Sequence, residues 1–514
     1  MRRRMPNKSS SQNGGFDLMS PVIEIFSELL VQASKYFYEG SLLFINRYIL
    51  KIDSSSSFKK IERKDLSKSK KSISDSAIGY SLTTKRELMG NNIVRSDHTA
   101  IVGASGAGKT VLLDTLMYDD LRNGKPVVYI DPKGDNETLL TFINLCILTG
   151  RDYAIFSEYY NGHGACKLNP VKDGTVTNIT DRIFDSFIWS EEHYAQICYD
   201  ALEDSIKKLL KESKQVTIEN IHNELLTLSD SSNKSKCIYK RDEVRGILSR
   251  LRKYINSDYG DKLKGINALS FLDIRNSKKC VYIGLSVLGY SKMARSLGKI
   301  ILGDVAYCAY ATYKSITPTS KDDLTSLGLY IDELSAIITP NEFIELLNKI
   351  RGAKMELTFG FQSPSDIKKV DQELLIQVLE NTSNWFIFKQ RMREGAQLFS
   401  DSIGTNESTK QTMRIQDGEE LAHGSQRTVE ELTAHSNIIK NLGKGQCILL
   451  RHYPTRLDLL NVKYLDPKIV WKNVEILKKE GLLNSKEKNQ SLETQSKKND
   501  TGSNDFNQWG EEIE

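Results

Sequence analysis

The chain has 514 residues, enough for roughly two to four domains with ample core. Hydrophobic residues make up 39% and charged residues 27%, a soluble globular composition that excludes a membrane bundle or a wholly disordered chain. The net charge of +5 is too mild to define a partner, so partners are argued from local patches. Seven cysteines are scattered, odd in number and form no C-x-x-C pair. That pattern points to a reducing compartment and away from a disulfide framework or a zinc site.

Residues 1–52 read as an N-terminal helical segment. Met1-Arg-Arg-Arg4 is followed by polar residues with no apolar stretch behind it, unlike a secretory signal. Residues 21–50 are more apolar, but Glu24, Glu28, Lys35, Glu39 and Arg47 interrupt them. A spanning helix needs about 20 mainly apolar residues, so no transmembrane helix is predicted. Val22, Phe26, Leu29, Leu30, Ala33 and Phe37 share one helical face. Two readings stand: a helix packed on the body or on a partner, or an interfacial membrane helix, which Tyr36, Phe37 and Tyr38 suit. Residues 53–80 read as a Ser/Lys-rich linker, basic through Lys59, Lys60, Arg63, Lys64, Lys68, Lys70 and Lys71. Its default is a solvated tether, with nucleic acid or anionic lipid as the alternative contact.

Gly103-Ala-Ser-Gly-Ala-Gly-Lys-Thr110 reads G-x-x-x-x-G-K-[ST], the phosphate-binding loop. A β-rich run, His98–Val102, precedes it, and Val111–Met117 after it has helical spacing. Strand, glycine loop and helix start aim backbone N–H groups at phosphates, where the helix dipole favours negative charge. Gly103, Ala104, Ser105, Gly106, Ala107 and Gly108 form the cradle. Lys109 is expected at the β- and γ-phosphates of ATP, and the Thr110 hydroxyl on Mg²⁺.

Val127–Ile130 is a buried-strand run, and the loop beyond it carries Asp131, Lys133 and Asp135. Tyr153–Phe156 and Cys280–Leu285 are further strands. Between them, residues 176–275 break the alternation. Ile183, Phe184, Phe187, Ile188, Ala201, Ile206, Leu209 and Leu210 follow helical periodicity. This stretch reads as an all-α insertion domain. Its basic residues, among them Lys207, Lys208, Lys211, Arg250, Arg252 and Lys253, form either a solvated face or a DNA-contacting one.

Leu327-Gly-Leu-Tyr-Ile-Asp-Glu333 is an apolar strand ending in two carboxylates. Asp332 can support Mg²⁺, and Glu333 can polarise the attacking water as general base. Phe343, Leu346, Leu347 and Ile350 make the apolar stripe of the next helix. A strand then leads to Gln362, placed to sense the γ-phosphate or orient water. Asn384–Phe388 and Gln446–Leu450 are two more strands. Strands alternating with helices predict an α/β fold with ligands at the strand carboxyl ends. The nucleotide-binding domain is assigned to residues 81–175 and 276–465. Residues 466–514 read as a flexible tail, too polar from Leu483 onward to order themselves.

On the glycine loop 103–110, Val127–Asp135, Leu329–Ser335, Asn348–Ala353 running into Gln362–Ile367, Phe388–Glu394 and Leu442–Gln446, the chain resembles the type IV coupling proteins. These are the TraD/TraG-type ATPases of conjugation and type IV secretion, and the chain is most like the TraD of integrative elements. The resemblance covers about 85–465. It implies a RecA-like P-loop ATPase core with a parallel-rich sheet, with the all-α insertion where the family has its all-α domain. It further implies a homo-hexameric ring at the cytoplasmic face of a bacterial inner membrane. Such a ring pumps single-stranded, relaxase-bound DNA from the relaxosome toward a type IV secretion channel. By the same resemblance Arg351 matches an arginine finger acting on a neighbouring subunit, with Arg391 and Arg393 as rivals. The chain departs from the family at its N-terminus, where relatives usually carry two membrane-spanning helices. Two other functions stay open: an FtsK/HerA-type double-stranded DNA pump, and a receptor for protein effectors of a secretion system.

Overall fold

The computed structural model describes residues 59–66, 76–232, 237–287, 291–315, 324–338, 340–369, 371–416, 419–452 and 455–465, with a few isolated positions. The predicted N-terminal helical segment lies outside them, as does nearly all of the tail 466–514.

Thirteen strands run through the described residues: β1 Ala77–Ser81, β2 Arg86–Met89, β3 Thr99–Val102, β4 Val127–Asp131, β5 Tyr153–Phe156, β6 Cys280–Gly284, β7 Leu327–Ile331, β8 Met355–Phe361, β9 Asn384–Phe388, β10 Thr405–Gln416, β11 Glu419–Leu432, β12 Gln446–His452 and β13 Thr455–Val462. Eleven form one sheet in the order β2-β1-β13-β12-β9-β3-β8-β7-β4-β6-β5. From β9 to β5 every neighbouring pair is parallel. β12, β13, β1 and β2 extend the sheet in antiparallel fashion. The parallel-rich α/β sheet expected from the alternating elements is therefore present. Of its antiparallel wing only β12 was read as a strand from the sequence. β1 lies inside the stretch assigned to the linker, and nearby Ile61 is buried with its N–H donating to Thr433 O at 3.0 Å.

The parallel strands are buried on both faces, as their near-continuous apolar runs require. Alternate residues of one strand feed two cores. Val127 and Tyr129 of β4 enter one, Val128 and Ile130 the other. The first core is covered by α1 (Lys109–Arg122) and α2 (Asn136–Leu148). Within it Tyr282, Tyr129 and Tyr330 stand in register on β6, β4 and β7, with ring centroids 6.1 and 6.3 Å apart.

Between β5 and β6 the described residues form five α-helices: α3 Val176–Phe184, α4 Glu192–Lys211, α5 Ile218–Leu228, α6 Arg245–Ile255 and α7 Phe271–Ser277. Their apolar faces join the second core, together with α8 (Ser291–Ser315) and α9 (Pro340–Gly352). A buried ion pair ties α3 to α8: Arg182 Nη1 lies 3.2 Å from Asp304 Oδ1, and each side chain is 2% exposed. After β9, α10 (Arg393–Ile403) leads into the hairpin β10–β11, a two-stranded sheet of its own.

Candidate active site

The order β3-β8-β7 puts β8 between the strand that feeds the glycine loop and the strand that ends in Asp332 and Glu333. All three are parallel, so their carboxyl ends open at the same edge of the sheet. That edge gathers the residues the motifs singled out.

The loop 103–108 is clamped from two sides. Ala104 N–H donates to Lys389 O at 3.0 Å, beyond β9, and Gly445 N–H donates to Ala107 O at 2.9 Å. Gly106 and Gly108 take φ of +75° and +116°, a left-handed backbone that side chains resist. Gly108 begins α1 without a capping side chain, so the helix N-terminus keeps N–H groups for an anion. Lys109 Nζ donates to Gly103 O at 2.6 Å. Burial lowers the Lys109 pKa below the usual lysine value, while Glu333 and Asp332 pull it back up. Thr110, one residue into the helix, is half-buried.

Asp332 is 5% exposed at the end of β7. Its Oδ2 receives a hydrogen bond from Lys133 Nζ at 3.0 Å, and its Oδ1 is buried with no hydrogen-bond partner. Glu333 adopts a left-handed backbone with φ of 64°, a strained state for a non-glycine residue. Gln362 Nε2 donates to Glu333 Oε2 at 3.1 Å, and Ser335 Oγ donates to Glu333 Oε1 at 3.2 Å. The structure thus places Lys109, Asp332, Glu333 and Gln362, four of the expected site residues, at one edge of the sheet. Asp332 Oδ1, a buried hard oxygen donor without a hydrogen-bond partner, on a residue paired with Lys133, fits Mg²⁺ carried by a phosphate.

Arg351 is elsewhere. It ends α9, just before β8 begins, and its Nε pairs with Asp97 Oδ1 at 2.7 Å ahead of β3. This is the amino edge of the sheet. The seven residues of β8 separate that edge from Gln362, about 20 Å along the strand. Arg391 and Arg393 are exposed and follow β9 at the carboxyl edge, next to the Lys389 carbonyl that holds the glycine loop.

Two charged residues of this edge had no assigned role in the sequence. Lys133 was visible only as part of a loop. Asp114 lies one helical turn beyond Thr110, and its Oδ1 is buried without a partner. Burial, and then the charge of Asp332, push the Asp114 carboxyl up to about 8. No motif marks it, because its neighbour across the site comes from a strand more than two hundred residues away.

Residues 326–440 match the family model described as the TraM recognition site of TraD and TraG. Residues 78–304 match the central domain of helicase HerA. The bacterial conjugative coupling protein TrwB, lacking its N-terminal segment, superposes with a TM-score of 0.57 at 16% identity, over 80% of this chain and 93% of that one. TrwB holding a non-hydrolysable ATP analogue gives a TM-score of 0.56 at 16% identity, over 80% and 94%. VirB4 of Thermoanaerobacter pseudethanolicus gives 0.52 at 13% identity, over 78% and 99%. No curated protein sequence matches. The chain has the fold of the coupling protein TrwB, which is that of a P-loop ATPase. Among the described residues, no helix is long and apolar enough to cross a membrane.

Proposed function

We propose that this chain is an ATP-hydrolysing motor that moves DNA, coupling a relaxase-bound strand to a type IV channel. One observation carries the reading: Lys109, Asp332, Glu333 and Gln362 share one sheet edge, while Arg351 stands at the opposite edge with an exposed side chain. A site divided in this way suits catalysis between neighbouring protomers. The cradle 103–108 and Lys109 bind the triphosphate, and Thr110 and Asp332 hold Mg²⁺, which neutralises phosphate charge. Glu333 takes the proton of the attacking water, and Gln362 keeps Glu333 oriented and faces the γ-phosphate. Arg351 reaches the neighbour's phosphate, where charge develops in the transition state.

The likeness to conjugative coupling proteins supports single-stranded DNA as cargo, and the family model over 326–440 supports a relaxosomal protein partner. A homo-hexameric ring at the inner face of the membrane follows from the same reading. The HerA-type match over 78–304 favours a second reading, a double-stranded DNA pump. ATPase rate measured without DNA, with single strands and with duplex decides between them. Stimulation by single strands supports the coupling role, and stimulation by duplex alone supports the pump. A rate indifferent to both refutes a DNA motor and leaves an effector receptor.

A further inference from the structure

The loop after β4 is built around Asp131, which is 1% exposed. Asp131 Oδ1 accepts the Lys133 N–H at 2.9 Å. Its Oδ2 accepts the Asp135 N–H at 2.8 Å and the Tyr282 hydroxyl at 2.7 Å. Asp135 then caps α2, its Oδ2 accepting the Thr138 N–H at 3.2 Å. Gly134 between them has φ of 63°, and a Cβ there would collide with Ser286. The backbone of Lys133 is thus fixed by a buried carboxylate, a buried tyrosine and a helix cap. This is heavy construction for a lysine that only covers a surface.

The neighbouring strand receives what the loop delivers. β4 and β7 pair in parallel, and Lys133 crosses to Asp332 at 3.0 Å. An ammonium has three N–H donors, and this contact uses one. The Lys133 side chain is 43% exposed. A fixed cation with two donors to spare therefore stands at the carboxylate edge of the site, on the far side of Asp332 from Lys109.

We infer that Lys133 is a second phosphate-binding lysine of this site, contacting the γ-phosphate of a bound nucleoside triphosphate beside Asp332. The inference rests on the nucleotide-site reading above and goes beyond it by assigning the site's discrimination between triphosphate and diphosphate. Lys109, inside the cradle, serves both ligands. Lys133, reaching from a loop beyond β7's neighbour, serves only the terminal phosphate.

The test is equilibrium binding of a non-hydrolysable ATP analogue and of ADP, each with Mg²⁺, to the full chain and to Lys133→Ala. Loss of one charge-assisted contact to phosphate predicts analogue affinity lower by about 10- to 100-fold, with ADP affinity changed by less than about threefold. Lys133→Arg should recover part of the loss for the analogue. Equal weakening of both ligands, or no weakening of either, overturns the inference and leaves Lys133 as a counter-charge for Asp332. Thermal melting of Lys133→Ala alone separates these cases further, since a pure counter-charge role lowers stability without changing the ratio of the two affinities. Failure of the parent reading looks different: the unsubstituted chain then binds neither ligand, or Lys109→Ala binds both as well as the unsubstituted chain does.

Discussion

Arg351 offers the sharpest test of a site divided between protomers. Its partner Asp97 lies at the amino edge of the sheet, about 20 Å along β8 from Gln362, beyond the span of one side chain. The Arg351 side chain is 64% exposed, so its ion pair with Asp97 stabilises the fold by at most about 1 kcal/mol. Arg351→Ala should therefore melt close to the unsubstituted chain. As a finger in trans it should lose about a thousandfold or more in ATP turnover, roughly 4 kcal/mol of transition-state stabilisation. The two magnitudes are far enough apart that unfolding cannot imitate the catalytic loss. Co-expression of Arg351→Ala with Glu333→Gln then asks where the arginine acts. A productive interface needs Glu333 from one protomer and Arg351 from the next. In an equal random mixture that combination arises at about one interface in four, whatever the ring size. Steady-state ATPase of the mixture should reach about a quarter of the unsubstituted rate if sites turn over independently. A mixture no faster than the average of the two single variants refutes action in trans. A high rate for Arg351→Ala alone refutes the finger and returns Arg391 and Arg393, which sit at the glycine-loop edge, to consideration.

Lys109→Ala should keep the fold and lose hydrolysis by at least about 100-fold, because among the described residues the lysine donates to a loop carbonyl and not to the core; far-ultraviolet circular dichroism and ATPase rate check both halves. Arg182→Met removes the counter-charge of Asp304, whose carboxyl burial pushes up to about 7 even beside the arginine, and should destabilise the chain by about 3–5 kcal/mol in urea denaturation. Arg182→Met with Asp304→Leu should recover most of that, and equal losses in the single and double variants would show that the packing of Tyr307 against the guanidinium matters more. Asp114 carries a pH signature. Its folded pKa is raised to about 8, so the unsubstituted chain loses stability as pH rises from the ordinary aspartate range through about 8. Asp114→Asn has no proton to lose, so its stability relative to the unsubstituted chain should climb across that window and level off above it. Parallel denaturation curves for the two chains between pH 5 and 9 would contradict the burial of that carboxyl.

What the sequence made legible was whatever chemistry lies along a few consecutive residues. The glycine loop, the strand ending at Asp332 and Glu333, and the strand ending at Gln362 each announce themselves locally, through spacing and apolar runs. The strands of the parallel half were legible for the same reason, since burial on both faces makes each a continuous apolar stretch. β13 and β1 were not. β13 begins Thr455-Arg456 and carries Asp458, which is buried with Arg451 Nη2 of the adjoining strand at 2.6 Å and the Ser81 hydroxyl of β1 at 3.0 Å. A strand whose interior charge is neutralised by its neighbour looks polar when read alone.

The same limit explains the contacts of the glycine loop that no motif marked. Gly445 N–H closes on Ala107 O from the turn before β12, and Lys389 O holds Ala104 from the end of β9. Neither contact has a motif, because each is made by backbone, and backbone donors are common to every residue. Yet they bind the phosphate cradle to the strands where the parallel sheet meets its antiparallel wing. Gly103 is packed so closely on Phe388 that a Cβ there would collide with that side chain. A cradle pressed on β9 at one end and hydrogen-bonded to β12 at the other cannot change shape alone. Rearrangement around a cleaved phosphate must displace β9, the β12 turn, or both. α10, which leaves β9 at Arg393 and leads into the β10–β11 hairpin, is the first element to receive that displacement. A glycine-to-alanine change at 445, where φ is +75°, should therefore slow DNA-stimulated turnover more than it weakens nucleotide binding. Equal effects on both would mean that the turn only shapes the cradle and carries no motion outward.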